Sequence, residues 1–134
     1  MERTKRIMLV DDEPINNFIT EKIIQRYSDY RVEAYTSARE ALSRLRNGAT
    51  PEFIFLDINM PETNGWDFLD EYSNFPEELL ETSPVVMLTS SIDLKDVERA
   101  KAYRCVCDFI SKPLNESSLL AVLQTKEAYC LRYR

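Results

Sequence analysis

Histidine is absent from the 134 residues. That absence excludes a Ser-His-Asp or Cys-His nucleophile system and any imidazole general base. A site in this chain has to run on carboxylates, lysine and hydroxyls. Cysteine is scarce and odd in number, with Cys105, Cys107 and Cys130, so one chain cannot build a complete disulfide framework. The Cys-Val-Cys spacing matches no common zinc pattern, and without histidine the ligand set is thin. Buried thiols are the expectation. Positive charge is in deficit, with 17 Lys and Arg against 23 Asp and Glu, a net charge of -6 and a pI of about 4.8. Nucleic-acid binding, which needs a basic face, is not expected. No run reaches the roughly 18 apolar residues of a membrane span. The opening MERTKRIMLV lacks a signal-peptide core and cleavage site. A cytoplasmic protein with no membrane association is expected.

The length suits one domain with one core, and the expectation is a single unit over 1–134 with no output domain. Short apolar runs alternate with helical patterns. RIMLV (6–10), RVEAY (31–35), EFIFLD (52–57), PVVMLTS (84–90) and VCDFIS (106–111) read as strands. PINNFITEKIIQRY (14–27) puts Ile15, Phe18, Ile19 and Ile23 on one helical face, with Pro14 suited to a first turn. Ser37 and Glu40 have capping-box spacing, and Asn47-Gly48 closes the helix between them. WDFLDEY (66–72), DLKDVERAKAY (93–103) and the stretch from 115 onward read as further helices. Leu119, Val122 and Leu123 of the last are expected to face inward. SNFPEELLETS (73–83) reads as irregular continuation and linker. Five strand-then-helix repeats predict an α/β fold with a doubly wound, five-stranded parallel sheet, because strands this apolar need both faces covered.

In such sheets ligands bind beyond the carboxyl ends of the strands. Asp11-Asp12 follow the first strand, Asp57 ends the third, Thr89-Ser90 the fourth, and Lys112-Pro113 follow the fifth. Three carboxylates on one rim repel one another unless a cation intervenes. Carboxylates with a backbone carbonyl and waters make an oxygen shell suited to Mg²⁺. Lys112 and the Thr89 hydroxyl would stabilise a phosphoryl group in flight, with Asp57 as nucleophile.

The stretches LVDDEP, FLDINMPETNG, VVMLTSS and FISKPL, in this order, resemble the receiver domain of two-component response regulators over essentially the whole chain. The resemblance implies the flavodoxin-like strand order 2-1-3-4-5 and makes Asp57 the phosphoacceptor. It assigns Mg²⁺ to Asp11, Asp12, Asp57 and the backbone carbonyl of Asn59, and phosphoryl binding to Thr89 and Lys112. It makes Phe109 the aromatic switch, Asn59 and Ser91 the positions that tune dephosphorylation, and the peptide bond before Pro113 cis. The donor implied is a phosphohistidine on a sensor histidine kinase or histidine phosphotransfer protein. With no histidine, this chain cannot carry the donor itself. A stand-alone receiver acting on an unnamed downstream protein is the expectation, docked on the face of the helix at 93–103, the fifth strand and the last helix. The chain departs from the family at YRCVC, where receivers often carry glycine. A residue needing positive φ there would be strained.

Two other readings stay open on the residues alone. A phosphatase with an aspartyl-phosphate intermediate wants a second aspartate two residues after the nucleophile, where Asn59 stands. A pure interaction module would not need the intact set of Asp11, Asp12, Asp57, Thr89 and Lys112. Several of these residues also have plain structural roles available. Asp11-Asp12 could cap a helix, Phe109 could be core, and Trp66 is expected to pack.

Overall fold

The structure, a computed structural model, describes residues 5–58, 60, 64–90 and 92–132, without the side chains of 126–132. The strands are β1 (Arg6–Val10), β2 (Arg31–Tyr35), β3 (Phe53–Asp57), β4 (Val85–Thr89) and β5 (Val106–Ser111). They form one parallel sheet in the order β2-β1-β3-β4-β5, the order expected from the sequence. The helices are α1 (Pro14–Tyr27), α2 (Ala38–Arg46), α3 (Gly65–Tyr72), α4 (Glu77–Thr82), α5 (Leu94–Ala100) and α6 (Glu116–Arg132).

Successive strand residues point to opposite faces, and both faces are buried. Met8, Val10, Ile54, Leu56, Val85 and Met87 pack with α2, α3 and α5 residues in one core. Ile7, Leu9, Phe53, Phe55, Val86 and Leu88 pack on the other face with Ile24 of α1 and Leu119 and Val122 of α6. Each fully buried side chain of this size contributes about 1.5–3 kcal/mol. Phe55→Ala alone is therefore expected to cost roughly 3–5 kcal/mol through the cavity it leaves.

Local signals set the helix ends. The Ser37 hydroxyl accepts from the Glu40 N–H at 3.3 Å, and Gly48 takes φ 103° just after α2. No other described residue has positive φ, so the YRCVC segment, residues 103–107, avoids the strain that its missing glycine suggests. Residues 77–82 fold as α4 rather than an irregular linker. Pro76 opens it, Glu77 and Glu78 fill its first turn, and acidic side chains there complement the helix dipole. Among the described residues the fold therefore has six helices rather than five.

The apolar face of α1 is split: Ile23 packs at the edge of the core, and the rest of the face is turned outward. Ile15, Phe18 and Ile19 are 70%, 60% and 46% exposed, whereas α1 buries Asn17 and Ile24. Pattern alone gave the stripe but not its direction, because a polar residue, Asn17, takes the inward position. Leu119 and Val122 face inward as read, with Leu123 packed at the edge of the same core.

Candidate functional site

Asp11 leaves β1 as the next residue after Val10, where the sheet hydrogen bonds end. Its backbone N–H donates to Tyr35 O at 3.1 Å. One carboxylate oxygen, Oδ1, accepts from the Glu13 N–H at 2.9 Å and so shapes the turn into α1. The other, Oδ2, accepts from Lys112 Nζ at 2.7 Å. Asp11 therefore fills both the helix-entry role and the ionic one.

Asp57, the last residue of β3, is buried, as is Asp11, and Asp12 is half-buried. The three carboxylates offer oxygens that all lie within 4.8 Å of one another. Lys112 arrives from the far side of the chain. Its N–H donates to Thr89 O at 2.6 Å, tying the turn after β5 to the end of β4. Its ammonium stands 3.5 Å from Asp57 Oδ1 as well as 2.7 Å from Asp11. The Lys112–Pro113 peptide bond is cis, and Leu114 anchors the turn in the α1–α6 core. Thr89, buried, ends β4 opposite Ser111 of β5.

These groups open into a groove of about 510 Å³ whose lining includes Asp12, Asp57, Ser90, Lys112 and, from α1, Asn16 and Ile19. Phe109 lies off the groove. It is half-buried on β5, paired in register with Met87, and packs against the core under α2, α3 and α5. Asn59 and Ser91 lie outside the described residues.

Gly65 was not singled out from sequence as a site residue, yet the site depends on it. Its N–H donates to Ile58 O at 2.8 Å. A Cβ there would lie 2.8 Å from Ile58 Cα and 2.9 Å from Asp57 O. The start of α3 is thus set against the tip of the acceptor strand, and only glycine permits that approach. The signal was available, since Gly65 is one of only two glycines in the chain.

Next along α3, Trp66 is buried. It stacks with Tyr103 at 6.1 Å and lies under the Arg99 guanidinium at 4.3 Å. Tyr103 donates to Asp70 Oδ1 at 2.5 Å, and this acceptor, with burial, raises the phenol's pKa. Trp66 is therefore a packing residue that joins α3 to α5. Cys105 is buried too, and loss of water pushes its thiol up to about 11. A thiol held protonated in this way is not a nucleophile at neutral pH.

Comparison with known proteins gives the family. The model of the response regulator receiver domain matches residues 7–124, and the chain belongs to that family. Response regulator Rre1 of Synechocystis sp. is 30% identical over 119 residues, covering 88% of this chain and 49% of Rre1. A two-component response regulator from Cytophaga hutchinsonii shares 30% identity at TM-score 0.86, over 95% of this chain and 99% of that one. The Vibrio cholerae chemotaxis protein CheY4 shares 26% at TM-score 0.78, over 92% and 98%. The chain spans half or less of the length of the first curated relatives it matches. Among the described residues no helix is long and apolar enough to cross a membrane.

Proposed function

We propose that this receiver accepts a phosphoryl group on Asp57 from a phosphohistidine of a sensor histidine kinase or histidine phosphotransfer protein, in a cytoplasmic setting. The acyl phosphate then alters the surface offered to a downstream protein. One observation carries the reading: the Lys112 ammonium reaches both Asp11 and Asp57 at the head of three clustered carboxylates. One lysine cannot balance three carboxylates. An all-oxygen donor set this tight fits a hard divalent ion, so Asp11, Asp12, Asp57 and the Asn59 carbonyl would hold Mg²⁺. When bound, the ion supplies positive charge to the carboxylates and to the phosphoryl oxygens.

An Asp57 carboxylate oxygen attacks phosphorus. The P–O bond forms as the P–N bond to imidazole breaks, and the leaving nitrogen keeps the electron pair and takes a proton from solvent. Lys112 and the Thr89 hydroxyl donate to the transferred group, so the protein's contribution is placement and charge. Attack by water later returns the carboxylate and inorganic phosphate. The chain acts on its own side chain and not on a diffusible substrate.

Movement of Thr89 toward the phosphoryl group would pull the start of α5, where Ile92 and Leu94 are exposed, with Phe109 following on β5. The α5-β5-α6 face is then the one that changes for the downstream partner. The donor is proposed to rest on α1. Ile15, Phe18 and Ile19 form an exposed apolar stripe, and Ile19 also lines the groove over Asp57. A protein bringing a phosphohistidine to Asp57 through this groove meets Ile19, the end of that stripe.

Acetyl phosphate with Mg²⁺, followed by intact mass, tests the acceptor. Wild type should gain one phosphoryl mass only with Mg²⁺, and Asp57→Asn none. Equal labelling of Asp57→Asn overturns the reading. Phe18→Asp should slow transfer from a phosphorylated histidine phosphotransfer protein by about tenfold while leaving acetyl phosphate labelling unchanged.

A further inference from the structure

We infer that Asn17 is a positioning residue for the acidic pair, holding the Asp11–Asp12 peptide against the end of β2 so that Asp12 faces the metal site. The inference deepens the proposed function and rests on it.

Asn17 sits on the inward face of α1 and is 5% exposed, a place where an amphipathic helix normally puts an aliphatic side chain. Its amide Nδ2 donates to Asp11 O at 3.0 Å and to Tyr35 O at 3.2 Å. The β1–β2 register runs from Arg6 opposite Arg31 to Val10 opposite Tyr35. The Asn17 bonds therefore extend the pairing one residue past the last sheet position, by a side chain. Tyr35 O also accepts the Asp11 N–H at 3.1 Å.

Asp11 is consequently fixed at four atoms. Its N–H meets Tyr35 O, its carbonyl meets Asn17, Oδ1 meets the Glu13 N–H and Oδ2 meets Lys112. Among the described contacts, the carbonyl bond is the one that orients the peptide plane leading into Asp12. Asp12 is the most exposed of the three carboxylates. An apolar side chain at 17 would fill the space but supply no donor to the Asp11 and Tyr35 carbonyls. The loop would then turn those oxygens toward water, and Asp12 would turn with the peptide. Residues that orient metal ligands in this way typically change metal affinity 10–100-fold when replaced.

The test is Mg²⁺ titration calorimetry on Asn17→Leu, with Ile24→Ala as control. Ile24 is also buried on α1, in the apolar core with Ile7 and Leu9, about two turns further along the helix than Asn17. The Mg²⁺ dissociation constant should rise about 10- to 100-fold in Asn17→Leu and stay within about twofold in Ile24→Ala, although both lower Tm. Amide exchange in metal-free protein gives an independent readout. The Asp11 and Glu13 amides should exchange faster in Asn17→Leu and not in Ile24→Ala. If Asn17→Leu does not fold, Asn17→Ser takes its place, with the same comparisons and a smaller effect. Unchanged Mg²⁺ affinity at 17, or equal weakening by Ile24→Ala, overturns the inference. Failure of wild type to bind Mg²⁺ overturns the site reading beneath it, and the inference with it.

Discussion

Lys112 and Asp11 are 101 residues apart in the chain and meet at 2.7 Å. The ammonium is nearer to Asp11 than to Asp57, which it approaches at 3.5 Å. In this arrangement the lysine supplies part of the positive charge that the three carboxylates need, so it is expected to compete with a divalent ion for Asp11. Lys112→Met should lower stability in EDTA by roughly 3 kcal/mol, since removing one member of a largely buried ion pair leaves charge behind. The same variant should bind Mg²⁺ more tightly and label from acetyl phosphate more slowly. Thermal melts with and without Mg²⁺ read the first two effects. Weaker Mg²⁺ binding in the variant would contradict the competition.

Asp12→Asn tests the crowding from the other side. Three carboxylates with oxygens within 4.8 Å repel one another, so removing one charge should raise metal-free stability by about 1 kcal/mol. The added stability that Mg²⁺ gives wild type should vanish in this variant. A melt in EDTA and another in Mg²⁺ are sufficient.

Gly65→Ala should damage the site from outside it. The new Cβ meets backbone at Ile58 Cα and Asp57 O, which cannot move as a flexible side chain can. A cost of roughly 1–3 kcal/mol is expected from forced overlap, with slower labelling of Asp57. Gly48→Ala has open space around it and is opposed only by its φ of 103°. It should lose stability with no change in labelling rate.

The pH dependence comes from two buried acids that are neutral when protonated. Burial raises Cys105 from 9.0 to about 11. Burial, and then the nearby Cys105 charge, raises Tyr72. Between these limits the folded chain keeps protons that the unfolded chain has released, so stability falls as pH rises from 9 to 11. Cys105→Ala should make that fall shallower without abolishing it, because Tyr72 remains. Melts across the alkaline range check the slope.

Much of this was legible in the sequence. Strands such as FIFLD end at the residues that carry chemistry, and all five strand positions were readable from short apolar runs, whereas the sheet order came only from the resemblance to receiver domains. Sequence could bring Asp11, Asp12, Asp57 and Lys112 to one rim but could not assign Lys112 to Asp11 over Asp57, which depends on the turn tied to Thr89 O. The sequence put Ile15, Phe18, Ile19 and Ile23 on one face of α1 but did not say which way that face points, because hydrophobic spacing is the same for a buried stripe and an exposed one. Asn17 and Gly65 were missed as parts of the site because each acts through backbone placement. Residues 77–82 lack an apolar stripe long enough to mark α4.

Chemical trapping of the phosphorylated residue tests the central claim most directly. After acetyl phosphate and Mg²⁺, borohydride reduces an acyl phosphate on aspartate to homoserine, and peptide mass spectrometry reads its position. Homoserine at residue 57, and at no other aspartate, is the result predicted. Homoserine elsewhere, or phosphate found on Thr89 or Ser90 with Asp57 unmodified, would contradict the account.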